Sequence, residues 1–401
     1  MNFSRSDIIV RPSRILPVII ISQFAGTSLW FAGNAVLPEL QQNWNLPADA
    51  VATITSAIQL GFIVGTLVFA FFTVSDRFSP RWIFFLCSLF GAGCNALLLI
   101  VPQSYTALLL LRFLTGVMLA GIYPVGMKIA SGWYRGGLGS ALGFLVGALV
   151  LGTAFPHLLR SVGTQLPWQE VLLSVSVIAA FGGLLLLLFV PDGPYSTRGT
   201  RFSAKAIPVI FRSRELRAAA FGYFGHMWEL YTLYAFIPFI LMLYNSLHPN
   251  AAVDISFWSF CTIAAGCIGC AGGGIISTRA GSARVAWGQL FLSGLFCLSS
   301  PLLFLLPVEF FLAILLLWGV AVVGDSPQFS TLVARHAPPD LVGSALTITN
   351  SIGFAVTIVS IQSISFLLHS ISPQYIFLFL APGPILGLLT SSRLVFRQSE
   401  S

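Results

Sequence analysis

Residues 319–327 read GVAVVGDSP, and residues 116–124 read GVMLAGIYP. The two agree at Gly116/Gly319, Val117/Val320, Gly121/Gly324 and Pro124/Pro327, all 203 positions apart. Both lie in apolar runs long enough to cross a bilayer, and the second sets a carboxylate, Asp325, where the first has Ile122. The correspondence continues on either side. GSAL at Gly139 to Leu142 returns at Gly343 to Leu346, 204 apart, and the short loop around Asp76 and Arg77 has a counterpart at Thr278 and Arg279, 202 apart. Three collinear matches at nearly one spacing, about half of the 401 residues, describe a chain made of two copies of one half-molecule.

Charged residues are only 8% of the sequence and the mean hydropathy is +0.90, values that exclude water as the main solvent of the chain. An all-α membrane protein is expected, with twelve transmembrane helices in two pseudo-symmetric six-helix bundles. The apolar spans are read at 15–38, 50–74, 82–101, 106–130, 138–159, 169–190, 217–243, 255–277, 285–306, 309–333, 343–367 and 374–391. If both termini face the cytoplasm, 17 of the 20 basic residues fall on that side: Arg5, Arg11, Arg14, Arg77, Arg81, Arg135, Arg198, Arg201, Lys205, Arg212, Arg214, Arg217, Arg279, Arg284, Arg335, Arg393 and Arg397. Arg160 falls on the other side, while Arg112 and Lys128 lie within or at the end of a span. This bias predicts an inner-membrane protein with cytoplasmic termini, and it accounts for the net charge of +7 without nucleic acid.

The basic, Pro- and Gly-punctuated stretch between spans six and seven is the one credible linker. It divides the chain into an N-terminal bundle, 1–190, a cytoplasmic linker, 191–216, and a C-terminal bundle, 217–401. The six cysteines all fall in apolar spans, and Cys267 and Cys270 sit in a glycine-rich run, GCIGCAGGG, that reads as close helix packing. Neither a disulfide framework nor a metal site is expected.

In the first span Gln23, Thr27, Trp30 and Asn34 follow one another at spacings of four, three and four, a polar stripe suited to interhelical hydrogen bonds or to a solute, with Trp30 and Asn34 as candidate lining. The fourth span carries Arg112, Gly116 and Tyr123 on one face if the helix is continuous. An arginine within a span is costly and is read as functional, whereas Lys128, near the span's end, can snorkel to water. Pro124 and Pro327 interrupt the fourth and tenth spans as hinge, carbonyl site or kink. In the seventh span, His226 and Glu229 stand three residues apart among Tyr223, Trp228, Tyr231 and Tyr234, a pair that could exchange a proton in the working pH range or stay locked as a structural bridge.

The loop FTVSDRFSPRW after the second span resembles the Gly-x-x-x-Asp-Arg/Lys-x-Gly-x-Arg/Lys signature of the major facilitator superfamily (MFS). Asp76 and Arg77 match and Arg81 nearly does, with Phe72 and Ser79 where glycines are expected; the second copy keeps Gly274, Arg279 and Gly281 but has Thr278 for the acid. The Arg112-x-x-x-Gly116 spacing is similar to the superfamily's fourth-helix motif, in which the arginine serves substrate or proton handling. The resemblance implies that Asp76 braces one conformation, against a helix N-terminus, and that first and fourth helices of each half gather Trp30, Asn34, Arg112, Tyr123, His226, Glu229, Tyr234 and Asp325 around a central cavity.

No phosphate-binding Gly-x-x-x-x-Gly-Lys-Ser/Thr loop and no extramembrane stretch able to hold ATP occur, so transport would be secondary, without a cofactor. The expected function is a monomeric, proton-coupled carrier of a small organic acid or amphiphilic zwitterion, working by alternating access. In it Arg112 meets an anionic group or a coupling carboxylate, and Glu229, His226 and Asp325 carry protons or pair with Arg112. Proton-antiport efflux of drugs or metabolites, and a non-transporting receptor or scramblase, are the alternatives. An enzyme is not expected, because His157, His248 and His369 are scattered near span ends without clustered acids.

Overall fold

The computed structural model describes residues 12–134, 138–162, 166–195 and 202–396. Arg5, Arg11, Arg135, Arg198, Arg201 and Arg397 of the charge tally lie outside them. Among the described residues the regular elements are all helical. The first half comprises α1 (Ile15–Thr27) and α2 (Ala32–Trp44), α3 (Ala50–Phe71), the short α4 (Val74–Arg77), α5 (Pro80–Leu97), α6 (Tyr105–Leu119) and α7 (Tyr123–Trp133), α8 (Leu138–Ser161) and α9 (Trp168–Phe189). After α10 (Ala206–Arg212), the second half has α11 (Arg214–Leu247), α12 (Ile255–Ala280), α13 (Ser282–Leu303), α14 (Val308–Gly324) and α15 (Ser326–His336), and α16 (Val342–Leu367). A 3-10 segment (Pro373–Leu380) and α17 (Pro382–Phe396) complete it.

The pairs α1/α2, α6/α7 and α14/α15 and the 3-10 segment with α17 each form one interrupted span, which gives six spans per half. Among the described residues eleven spans are long and apolar enough to cross a membrane. The third span, α5, has 18 residues beginning Pro80-Arg81 and falls short of that measure, yet packs along α9 and α6 within the same bundle. The chain is thus an integral membrane protein. Side-chain caps start several of these helices where the chain turns back: Ser104 accepts from Ala107 N at 3.4 Å, Ser213 from Leu216 N at 3.3 Å and Asp254 from Phe257 N at 2.9 Å.

The repeat has a packing cause. In the first half α3 crosses α6 so closely that a Cβ on Gly116 would stand 2.1 Å from the Ile58 carbonyl oxygen. In the second half α12 crosses α14 the same way, and a Cβ on Gly319 would stand 2.0 Å from the Thr262 oxygen. Only glycine permits such backbone contact, so the matched glycines mark one helix crossing made twice. Cys270 lies buried at the second crossing with its Sγ 3.6 Å from the Val323 oxygen, and the described cysteines are all free.

The halves meet along two seams, α8 against α12 and α3 against α16. On the outside, Phe90, Phe181, Leu302 and Leu389 of α5, α9, α13 and α17 are exposed apolar side chains of the kind a bilayer covers.

The two signature loops differ in build. In the first, Thr73 takes up the left-handed turn (φ 49°) beside Phe72, and Ser79 is extended at φ −61°, ψ 125°. In the second, α12 runs straight to Ala280 and Gly281 makes the turn alone at φ 83°, ψ 148°, a conformation that side-chain-bearing residues avoid. Gly274 has open space around it and faces no such demand.

Candidate functional site

Midway through the bundle, aromatic side chains from both halves close on one another. Trp30, between α1 and α2, stacks on Tyr231 of α11 (5.6 Å between centroids, 19° between planes) and on Phe354 of α16 (5.7 Å, 24°). Phe62 of α3 lies 4.9 Å from Trp30 and 4.5 Å from Phe354, and Phe31 reaches Tyr231 and Tyr234, each at 6.4 Å. All six are buried. Stacked and edge-on pairs add about 0.5–1.5 kcal/mol each beyond simple burial, so this contact is a substantial part of what holds the halves together at their centre. Trp30 Nε1 and Tyr234 Oη remain without a hydrogen-bond partner there, two buried donors able to meet a polar solute.

One turn beyond Trp30, on the face opposite the chain termini, a cavity of about 350 Å³ opens between the halves. Asn34, Gln41 and Asp49 line it from the first half and Phe239, Met242 and His369 from the second. Asn34 donates to Thr55 Oγ1 at 2.7 Å, which ties the entry of α3 to α2. Toward the termini face, Tyr123 at the start of α7 is half-buried.

Two polar centres flank this aromatic layer. Arg112 on α6 is fully buried, and its Nη2 donates to the carbonyls of Leu29 (3.1 Å) and Trp30, while Nη1 reaches Asn95 Oδ1 at 3.4 Å. The first span is interrupted at Ser28–Phe31, where Trp30 N bonds back only three residues, to the Thr27 oxygen. The break frees carbonyls that the guanidinium then satisfies. Arg112 therefore meets neither Asp325 nor Glu229; its partners are neutral oxygens of the first half. The break also ends the polar stripe read from Gln23 to Asn34, because α1 and α2 are separate helices. Gln23 stays buried without a hydrogen-bond partner, its Oε1 lying over Gly126.

In the second half, His226 and Glu229 of α11 do not pair with each other. His226 Nδ1 lies 2.8 Å from Asp325 Oδ1, both side chains 1% exposed. Glu229 turns the other way and accepts from Ser293 Oγ on α13 (2.5 Å) and from Trp318 Nε1 on α14 (2.6 Å). Asp325 is the joint of the tenth span: it closes α14 and opens α15, its carbonyl accepting from Gln328 N (3.0 Å) and Phe329 N (2.9 Å), with Pro327 two residues on. The fourth span breaks likewise between Leu119 and Tyr123, just before Pro124, so the single face expected for Arg112, Gly116 and Tyr123 is not continuous. His226 Nε2 has no partner, leaving one ring nitrogen for a proton, a water or a solute.

At the termini face Lys128 extends to the membrane boundary, its side chain 24% exposed. Its Nζ crosses to the loop between spans two and three and bonds Asp76 Oδ1 and the Ser75 carbonyl. Arg77 and Arg279 are exposed. On the opposite face Arg160 pairs with Glu39 (2.5 Å), which also accepts from Trp168 N.

Sequence reasoning missed Asn95, Ser293, Trp318, Phe62 and Phe354. In the first half the acids stand only at span ends, Glu39, Asp49, Asp76 and Glu170, so an arginine buried in mid-span had to find neutral acceptors. That requirement is the signal that points to Asn95 and to a broken helix.

A family profile, the Major Facilitator Superfamily, matches residues 19–361. The chain is 30% identical over 172 residues to a putative niacin/nicotinamide transporter, NiaP, of Bacillus subtilis, covering 40% of this chain and 39% of that protein. It is 22% identical to an uncharacterized transporter of Buchnera aphidicola over 58% of this chain and 56% of that protein. The chain thus spans between about four tenths and six tenths of the length of these relatives. Among solved structures it is similar to the human organic anion transporter MFSD10 (TETRAN), with a TM-score of 0.71 at 15% identity, over 95% of this chain and all of that one.

Proposed function

Because the chain belongs to the Major Facilitator Superfamily, a family of transporters, we propose that it is a proton-coupled secondary carrier of a small organic solute, an organic acid or amphiphilic zwitterion, that works by alternating access across the inner membrane. The observation that carries this reading is the joint at Asp325. A carboxyl facing an imidazole stands where the tenth span is broken, one layer from an aromatic contact that closes the path between the halves. Protonation of that pair changes what holds α15 to α11, and α15 can pivot at Pro327.

Glu229 is the second proton-handling candidate, and Trp30, Asn34, Tyr123 and Tyr234 are the solute-lining ones. Arg112 serves this scheme by fixing Trp30 in place. Asp76, Arg77 and Lys128 latch the termini face, which we place in the cytoplasm, and the halves divide at the 191–216 linker. A monomer suffices, with no cofactor and no enzymatic step. The stacked rings around Trp30 suit a flat solute, and the Bacillus relative is a putative transporter of niacin, a flat aromatic acid, which is the first solute to try.

The test is uptake into proteoliposomes. A pH gradient should drive accumulation of the solute by the wild-type protein, and Asp325→Asn and Glu229→Gln should abolish the pH dependence while exchange of labelled for unlabelled solute persists. Normal coupling in both variants would overturn the proton assignment. Absence of exchange with every organic acid and zwitterion tried would overturn the carrier reading.

A further inference from the structure

On the termini face, away from the central path, the start of α11 and the end of α17 enclose a cavity of about 330 Å³. Arg214, Arg217 and Arg393 line it together with Phe221 and Leu389. Among the described residues no carboxylate lines it and none of the three arginines is in an ion pair. Arg217 is held in position by a bond from Nη1 to the Phe211 carbonyl (2.9 Å), and the Phe211 ring meets Phe221 edge-on at 6.3 Å.

The order of residues along both helices makes the cavity amphiphilic. On α11 the arginines precede Phe221 by one to two turns, and on α17 Arg393 follows Leu389 by one turn, so on each helix the charge lies toward water and the apolar residue toward the bilayer. Phe221, Leu386 and Leu389 are exposed, as are Ile207 and Phe211 of α10 beside them. An anion alone would use the arginines and leave this apolar wall bare, and a neutral lipid would leave three guanidinium groups without a counter-charge.

We propose that this cavity is a binding site for one anionic phospholipid, with its phosphate on Arg214, Arg217 and Arg393 and the start of its acyl chains along Phe221 and Leu389. The lipid would bridge the last span to the span that carries His226 and Glu229.

Native mass spectrometry of the full chain, titrated with equal phosphatidylglycerol and phosphatidylcholine, tests it. A single retained phosphatidylglycerol is expected, in preference to phosphatidylcholine. Arg214→Gln/Arg217→Gln/Arg393→Gln should lower that preference at least about tenfold, given a contribution of roughly fivefold per arginine. Arg279→Gln/Arg284→Gln, an exposed basic pair elsewhere on the same face, should leave it unchanged. Equal retention of both lipids would overturn the proposal, as would an equal loss in the control pair. So would displacement of the lipid by inorganic phosphate at matching concentration, which would assign the cavity to a free anion. If the triple variant cannot be purified, Arg393→Gln alone decides: a roughly fivefold loss supports the site, and no change overturns it.

Discussion

In the first half of the molecule a guanidinium, which keeps its proton at any physiological pH, is held by backbone carbonyls and an amide. In the second half an imidazole faces one carboxyl and a second carboxyl is held by a hydroxyl and an indole, and all three of those acidic or basic groups can gain or lose a proton. The helix crossings beside these groups repeat each other at Gly116 and Gly319. Duplicated architecture therefore carries unlike electrostatics: a contact that is the same in every protonation state on one side, and contacts whose strength depends on protonation on the other.

The sharpest way to break this contrast is Arg112→Met. It orphans two carbonyls and Asn95 in a fully buried place, and a loss of about 3–5 kcal/mol in stability is expected, measured by thermal unfolding in detergent. Arg112→Lys should recover little, because an ammonium cannot fork between the Leu29 and Trp30 oxygens. A stable Arg112→Met protein that fails only in transport would place Arg112 with the titratable groups instead.

Asp325→Asn and Glu229→Gln should be the reverse: folded proteins, changed in stability by less than about 2 kcal/mol, that have lost the pH dependence of transport. A collapse of folding in either would make that carboxyl as structural as Arg112.

The shared architecture predicts equal effects. Gly116→Ala and Gly319→Ala should each cost about 1–3 kcal/mol, since both force a Cβ against a carbonyl across the crossing. Unequal costs would mean that one crossing is already loose.

The smallest difference lies in the signature loops. Gly281→Ala should cost about 1 kcal/mol or somewhat more for its φ of 83°, while Ser79→Ala has no backbone cost and loses only the hydroxyl bonds to Asp192. Melting temperatures of the two variants, side by side, measure it.

The fold was legible because a bilayer constrains it strongly: a span must be about twenty apolar residues, and a duplicated crossing repeats its glycines. The Gly116/Gly319 match and the 17-to-1 charge bias needed no coordinates. Of the candidate site, the polar and aromatic residue types were legible but their partners were not. His226 and Glu229 are three residues apart, so helical periodicity suggests a pair, yet α11 is buried on nearly every side and each residue found a closer neighbour on another helix. The break in the first span was invisible for a different reason. SLWF contains no proline or glycine, and the interruption is held by an arginine some 80 residues away in sequence. Span periodicity reports which face a residue occupies; it does not report what the neighbouring helix offers.

The partners of Arg112 have a consequence for how the chain is made. Leu29, Trp30 and Asn95 all precede Arg112, so when the ribosome delivers the fourth span to the membrane its acceptors are already there. His226 and Glu229 are delivered in the opposite situation: Ser293 follows Glu229 by 64 residues, Trp318 by 89, and Asp325 comes later still. Until the tenth span is threaded, the seventh carries its polar groups without their final companions, at the cost that polar side chains incur among lipid tails. Biogenesis of the second half is accordingly the vulnerable stage, and a nascent chain halted before Trp318 is the form that quality-control proteases would recognise.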